Sequence, residues 1–230
     1  MIGVFDSGVG GFNSIPPLRE RLRAADIVYL ADRENAPYGT KSEGELVALA
    51  EDCIDRLKAF GAERILMACC TASTVWHRMD ESRRRITVPI IEYASEGLRG
   101  DEKTVLVIAT ERTVADGAFI KVIKKKCPSA DAVQVAMQSL VLAVEKGTRW
   151  GNIKDATREE IEVIRHLAEE HHPDALILGC THFSSVAELI QNAAPMARIV
   201  NPAYLGACAM ARDAIRFGIN VRERGRLIYT

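Results

Sequence analysis

The chain has 230 residues, 48% of them apolar, with 30 basic and 31 acidic side chains for a net charge of -1. That length suits one large domain or two compact ones, each with a full core. The charge balance excludes a broad polyanion-binding surface, so nucleic acid is not an expected partner. No apolar run approaches the ~20 residues of a membrane helix. The opening MIGVFDSG lacks the basic segment, apolar stretch and small-residue site of a signal peptide, so the expectation is a soluble cytoplasmic protein with no membrane partner. Cys53, Cys69, Cys70, Cys127, Cys180 and Cys208 form no Cys-x-x-Cys pair and no zinc-finger spacing, which argues against a structural metal or a disulfide scaffold.

In chain order, IGVF (2–5) reads as a strand, and DSGVGG (6–11) as a glycine-rich turn into a helix that Asn13 or Ser14 caps and Pro16 and Pro17 open. Asn13 stands where a dinucleotide fingerprint needs its third glycine. DIVYLAD (26–32) is the next strand, and PYGTKS (37–42) leads into a helix starting at Lys41 or Ser42. From Glu43 to Phe60, Leu46, Leu49, Ala50, Cys53, Ile54 and Leu57 form one apolar stripe. Strands follow at ERILMA (63–68), VPIIEY (88–93) and TVLVIAT (104–110). Glu145, in LVLAVEKG, ends an apolar helical stretch. A second surface helix runs from Thr157 to Glu170 through Ile161, Ile164, Leu167 and Ala168, with Thr157 and Glu160 placed as a capping box and HHPDA ending it. ALILG (175–179) and ARIVN (197–201) are the last strands, before a helix from about Tyr204 to Phe217. The alternation predicts an α/β fold with mostly parallel sheets.

ERILMACCTAS (63–73) and DALILGCTHFS (174–184) share a layout: charged entry, apolar strand, small residue, Cys, then Thr within two positions. About twenty residues later each is followed by a strand near a proline. This echo predicts two pseudo-symmetric, doubly wound α/β domains joined near Gly97–Glu102, with a ligand site between them. The first comprises 1–97 plus 204–230, with the last helix packing back on it, and the second 98–203. From the echo alone, the ordinary likeness of one strand-to-helix unit to another stays open.

Ligands in open α/β sheets gather at the carboxyl ends of the strands. Asp6 and Ser7, Asp32, the stretch Cys69–Ser73, Thr110 and the stretch Cys180–His182 all fall at such ends. A lone cysteine there is commonly a buried filler, but Cys69 and Cys180 at equivalent points of two similar halves would flank one crevice. Opposed thiols suit removal of a proton from one face of a carbon and return of another to the other face. His182 is placed to tune Cys180. Asp6, at the matching point of the first half, is placed to take protons from Cys69 or to orient an ammonium group. Glu145 reads equally as a solvated helix residue, Tyr38 and Gly39 on their own as turn residues, and His77, His166, His171 and His172 as surface residues.

Together GVFDSGVGG, YLADRENAPYGTKS, ACCTAS, VIAT, LVLAVEKG and LGCTHF, in this order over most of the chain, resemble the glutamate racemases of the cofactor-independent aspartate/glutamate racemase superfamily. The resemblance implies two pseudo-symmetric domains and an inter-domain site with no pyridoxal phosphate, flavin or metal. It places Cys69 and Cys180 on the catalytic thiol positions, with Asp6, Glu145 and His182 as assisting acid and base groups. Asp6, Ser7, Tyr38, Gly39, Cys70, Thr71, Thr181 and His182 fall on substrate-contacting positions. The implied reaction interconverts L- and D-glutamate and supplies peptidoglycan; a homodimer is left open. The chain departs from the family pattern at Cys70, where Asn is usual, in GCTHFSS, and in AMQSLV before Glu145. These departures leave open a racemase of aspartate or another amino acid, or a binding protein with impaired turnover. Adjacent Cys69 and Cys70 could also form a vicinal disulfide.

Overall fold

A computed structural model describes residues 1–23, 25–219 and 225–230. The described strands are β1 (Ile2–Asp6), β2 (Ile27–Ala31), β3 (Arg64–Met67), β4 (Thr87–Pro89), β5 (Thr104–Ala109), β6 (Asp131–Ala136), β7 (Ala175–Gly179), β8 (Arg198–Val200) and β9 (Leu227–Tyr229). They form two sheets, ordered β4-β3-β1-β2-β9 and β6-β5-β7-β8, and every pairing is parallel. Reversing the second order gives β8-β7-β5-β6, which matches β4-β3-β1-β2 strand for strand. The two cysteine-bearing segments therefore follow equivalent strands, β3 and β7.

The strands are apolar runs because both faces of each sheet are covered. Alternate residues divide between two cores, as the two-residue period of a strand requires. In β5, Val105, Val107 and Ala109 face a core shared by both sheets, while Leu106 and Ile108 face a core under the helices of the second lobe. In β1, Ile2 and Val4 enter the shared core and Phe5 a third core beneath the helix Glu43–Ala59. That helix keeps the predicted stripe, with Leu49 only partly buried, and starts on a capping box between Ser42 and Glu45. The helix Pro202–Arg216 begins two residues before the predicted start, where Asn201 caps it, and packs on the helix Ile15–Arg21 and beside β3.

Several local expectations differ. VPIIEY is strand only through Pro89; Ile90–Gly97 forms a 3-10 helix whose buried Ile90, Ile91 and Ala94 pack in the shared core. Neither Asn13 nor Ser14 caps the first helix, because the chain enters it through the 3-10 segment Gly10–Ser14 and the Asn13 amide is used elsewhere. Thr157 and Glu160 form no capping box: the Thr157 hydroxyl instead donates to the Ile153 carbonyl of the preceding short helix. Glu145 lies within the helix Gln138–Trp150 and does not end it. All six cysteines are free. Among the described residues, no helix is long and apolar enough to cross a membrane and no cluster of His, Cys, Asp and Glu is arranged to hold a metal.

Candidate active site

The carboxyl ends of the two sheets meet over one small cavity. Ser7, Tyr38, Gly39, Cys69, Cys70 and Thr71 line it from the first lobe. Thr110, Gln138, Glu145, Cys180, Thr181 and His182 line it from the second. Gly10 allows the approach: a Cβ there would stand 2.6 Å from Thr181 Oγ1 and 2.7 Å from His182 Nδ1. The cavity measures about 30 Å³, room for a couple of water molecules.

Cys69 lies two residues beyond β3 and caps the short helix Cys70–Ser73. Its Sγ accepts the Ala72 N–H at 3.5 Å and its thiol donates to Ser7 Oγ at 3.7 Å. Burial, reinforced by the nearby Asp6 carboxylate, pushes this thiol up to about 12, against the opposing pull of those two hydrogen bonds. Cys180 follows β7, and its Sγ is 3.6 Å from His182 Nδ1. The other ring nitrogen of His182 lies 3.2 Å from Glu145 Oε1 at the cavity mouth. Burial opposes the charged imidazole, yet the contacts with Cys180 and Glu145 and the field of Asp6 outweigh it and raise the His182 pKa well above the ordinary value. Glu145 is correspondingly lowered by its contact with His182.

Asp6 does not line the cavity. It is fully buried behind the wall, where Oδ1 accepts the Gly8 N–H at 2.8 Å and Oδ2 accepts the Thr181 hydroxyl at 3.1 Å. Burial raises its pKa, against the counter-effect of His182. Its positional counterpart is also not His182: β1 corresponds to β5, and with Cys69 set on Cys180 the strand registers place Asp6 on Ala109 and Ser7 on Thr110, while His182 matches Thr71 two residues after the other cysteine. The Tyr38 hydroxyl points away from the cavity, donating to Asp32 Oδ2 at 2.6 Å and lying 3.7 Å from Cys53 Sγ.

Thr71 of the first lobe joins Thr110 and Thr113 of the second in a closed triangle of hydroxyls, with separations of 3.1, 3.2 and 2.9 Å. Thr113 escaped the sequence reading, as did Gln138. The threonine signal was available in the strand-end position of Thr110 and its three-residue spacing to Thr113, the pattern of a hydroxyl capping a helix. Cys70 is buried at the junction of the cavity and the shared core.

Two parallel-sheet lobes whose strand ends meet over a cavity lined by two thiols define an α/β protein with an inter-lobe site. The chain belongs to the Asp/Glu/hydantoin racemase family, a family of isomerases, whose model matches residues 17–209. The glutamate racemase of Desulforudis audaxviator is 33% identical over 231 residues, covering 97% of this chain and 82% of the relative. The crystal structure of the Francisella tularensis glutamate racemase in complex with D-glutamate superposes with a TM-score of 0.81 at 26% identity, covering 100% of this chain and 87% of that one. A glutamate racemase isoform from Bacillus anthracis shares the fold with a TM-score of 0.85 at 21% identity, covering 100% and 87% of the two chains.

Proposed function

We propose that this protein racemises glutamate without a cofactor, with Cys69 and Cys180 as the two acid–base thiols. The observation that carries the reading is that both sulfurs line one cavity from opposite lobes, each with its own hydrogen-bonding partners. In this reading residues 1–97 with 204–230 form the lobe bearing Cys69, residues 98–203 the lobe bearing Cys180, and their closure encloses the substrate. One sulfur, as thiolate, removes the α-proton; the other, as thiol, delivers its proton to the opposite face. The roles exchange in the reverse direction.

The two sides differ chemically. When Cys180 acts as base, His182 Nδ1 is within reach to hold its proton, and Glu145 stabilises the resulting imidazolium. Cys69 rests as the thiol, with Ser7 and the Ala72 N–H positioned to stabilise a thiolate when the reaction runs the other way. Asp6 acts from behind the wall by orienting Thr181. Charge developing on the substrate α-carboxylate is met by hydroxyls and strand-end amides in a site that excludes water, where such dipoles count most.

The reading makes the protein a cytoplasmic source of D-glutamate for peptidoglycan. Incubation with L-glutamate in D2O, without added cofactor and under reducing conditions, should yield D-glutamate carrying deuterium at the α-carbon. Exchange with aspartate alone would move the substrate within the family. Binding of glutamate without exchange would instead identify a binding protein, an outcome favoured by Cys70 at the usual Asn position; no exchange and no binding would refute both.

A further inference from the structure

We infer that Gln138 reads the distal end of the bound amino acid, donating from Nε2 to its side-chain carboxylate; the inference rests on the glutamate reading above. Gln138, Val141 and Glu145 lie on one face of the helix Gln138–Trp150 and all line the cavity. Seven residues of helix separate Gln138 from Glu145 by about 10 Å along the axis. Glu145 marks the end occupied by His182 and Cys180, where the reacting carbon must sit. Gln138 marks the other end, beside Gly39 and Thr110, where a side chain extending from that carbon would arrive.

Three observations give Gln138 this task. Its Oε1 is shielded from solvent and has no hydrogen-bond partner among the described residues, so the ligand-free fold leaves this amide unsatisfied on its buried side. Gly39 leaves the space that the Gln138 head needs, since a Cβ there would stand 2.8 Å from Oε1. No lysine or arginine among the described residues lines the cavity, and only Gln138 and His182 bring a side-chain N–H to it. His182 Nδ1 faces Cys180 Sγ and its Nε2, though without a well-aligned hydrogen bond, lies 3.2 Å from the Glu145 carboxylate, so the Gln138 amide is the side-chain N–H donor left for a distal carboxylate. Nothing in the fold fixes which way round that amide lies, and a half-turn of its terminal torsion presents Nε2 to the cavity. A carboxylate selects that orientation.

The test compares Gln138→Met, close in shape but without the amide, and Gln138→Glu, equal in length but opposed in charge to the substrate. With Met, KM for L-glutamate in the solvent-exchange assay should rise about ten-fold or more, the value of one hydrogen bond to a charged group, with kcat within about three-fold. With Glu, glutamate affinity should fall at least as far, while glutamine, whose distal group is neutral, should compete for the site within about three-fold of its wild-type strength. A merely structural role would not separate the two ligands. A glutamate KM in Gln138→Met within two-fold or so of an active wild type would overturn the assignment, as would equal losses for glutamate and glutamine in Gln138→Glu. Failure of the racemase reading looks different: the wild-type protein itself would neither exchange nor bind glutamate.

Discussion

The Asn13 amide donates to the backbone carbonyl of Thr181, 168 residues away in the sequence, at 3.0 Å. The same nitrogen also lies 2.9 Å from the Gly10 carbonyl and 3.1 Å from Ser185 Oγ. One side chain of the glycine-rich turn thus pins the Cys180–His182 segment of the opposite lobe, immediately behind the point where Gly10 lets the backbones approach. On the far side of the cavity the lobes are linked by an Arg112–Glu43 ion pair at 3.8 Å, a partly exposed contact of small expected value. Of these two contacts, the Asn13 bond is the shorter tie between the lobes.

Asn13→Ala removes that donor and leaves the Thr181 carbonyl without its cross-lobe partner. The expected loss is about 1–2 kcal/mol of unfolding free energy, measured by urea denaturation. Catalytic efficiency should fall too, because Thr181 also holds Asp6 through its hydroxyl. Unchanged stability and unchanged kcat/KM would show that closure is set elsewhere.

Cys69→Ser and Cys180→Ser should each lower racemisation by at least about 10³-fold, since a hydroxyl is a far weaker acid–base group near neutral pH. Cys53, Cys127 and Cys208 lie outside the cavity, so replacing them by Ala should leave the rate nearly unchanged. Cys53 is fully buried against Tyr38 and should cost the most stability of the three, about 1 kcal/mol. Full activity in either serine variant would exclude a two-thiol reaction.

The parts of this arrangement that were legible in the sequence share a physical signature. Strands buried on both faces, such as β1 and β7, stand out as unbroken apolar runs. The half-exposed edge strand β6, with Asp131 and Gln134, and the three-residue β9 carry too weak a pattern and were not foreseen. VPIIEY has the composition of a strand, but proline lacks the N–H to continue a ladder, and the isoleucines after it are apolar because the shared core buries them. The place of Cys69, Cys180 and His182 at the cavity was readable because all three come within three residues of a strand end. Gln138 was not: at the start of a helix it resembles any solvated residue, and its meaning arises only from Gly39 across the cavity. Likewise Tyr38 and Asp6 were identified as site residues, but only the fold reveals that a hydroxyl turns inward and a carboxylate stands behind the wall.

Alkaline pH should destabilise the fold through Cys69. Its thiol is raised from 9.0 to about 12, so between those values the folded protein keeps a proton that the unfolded chain has released. The stability contribution is complete below about pH 9 and is lost as pH rises toward 12, at about 1.4 kcal/mol per pH unit for one site. Cys53, also raised to about 12 by burial, adds a similar slope. Urea midpoints from about pH 8.5 to 10.5 should fall less steeply in Cys69→Ala than in the wild type, by close to one proton's worth. Parallel slopes would mean that Cys69 is already ionised in the fold.

Cys70→Asn tests the family departure at the cavity floor. The Cys70 sulfur is buried, its pKa pushed well above the ordinary thiol value by burial, and it belongs to the same apolar cluster as Ile90 and Ala94. An amide there gains a donor and an acceptor that the ligand-free fold does not satisfy, so the variant should lose about 1–3 kcal/mol of stability. Bound glutamate offers that amide a carboxylate, so the ligand should recover more stability in Cys70→Asn than in the wild type. Thermal denaturation with and without L-glutamate measures both quantities. A larger glutamate-induced shift together with a lower KM would mean that the thiol at position 70 weakens substrate binding. A smaller shift would mean that the cavity has been rebuilt around sulfur, with the Asn position no longer facing the substrate.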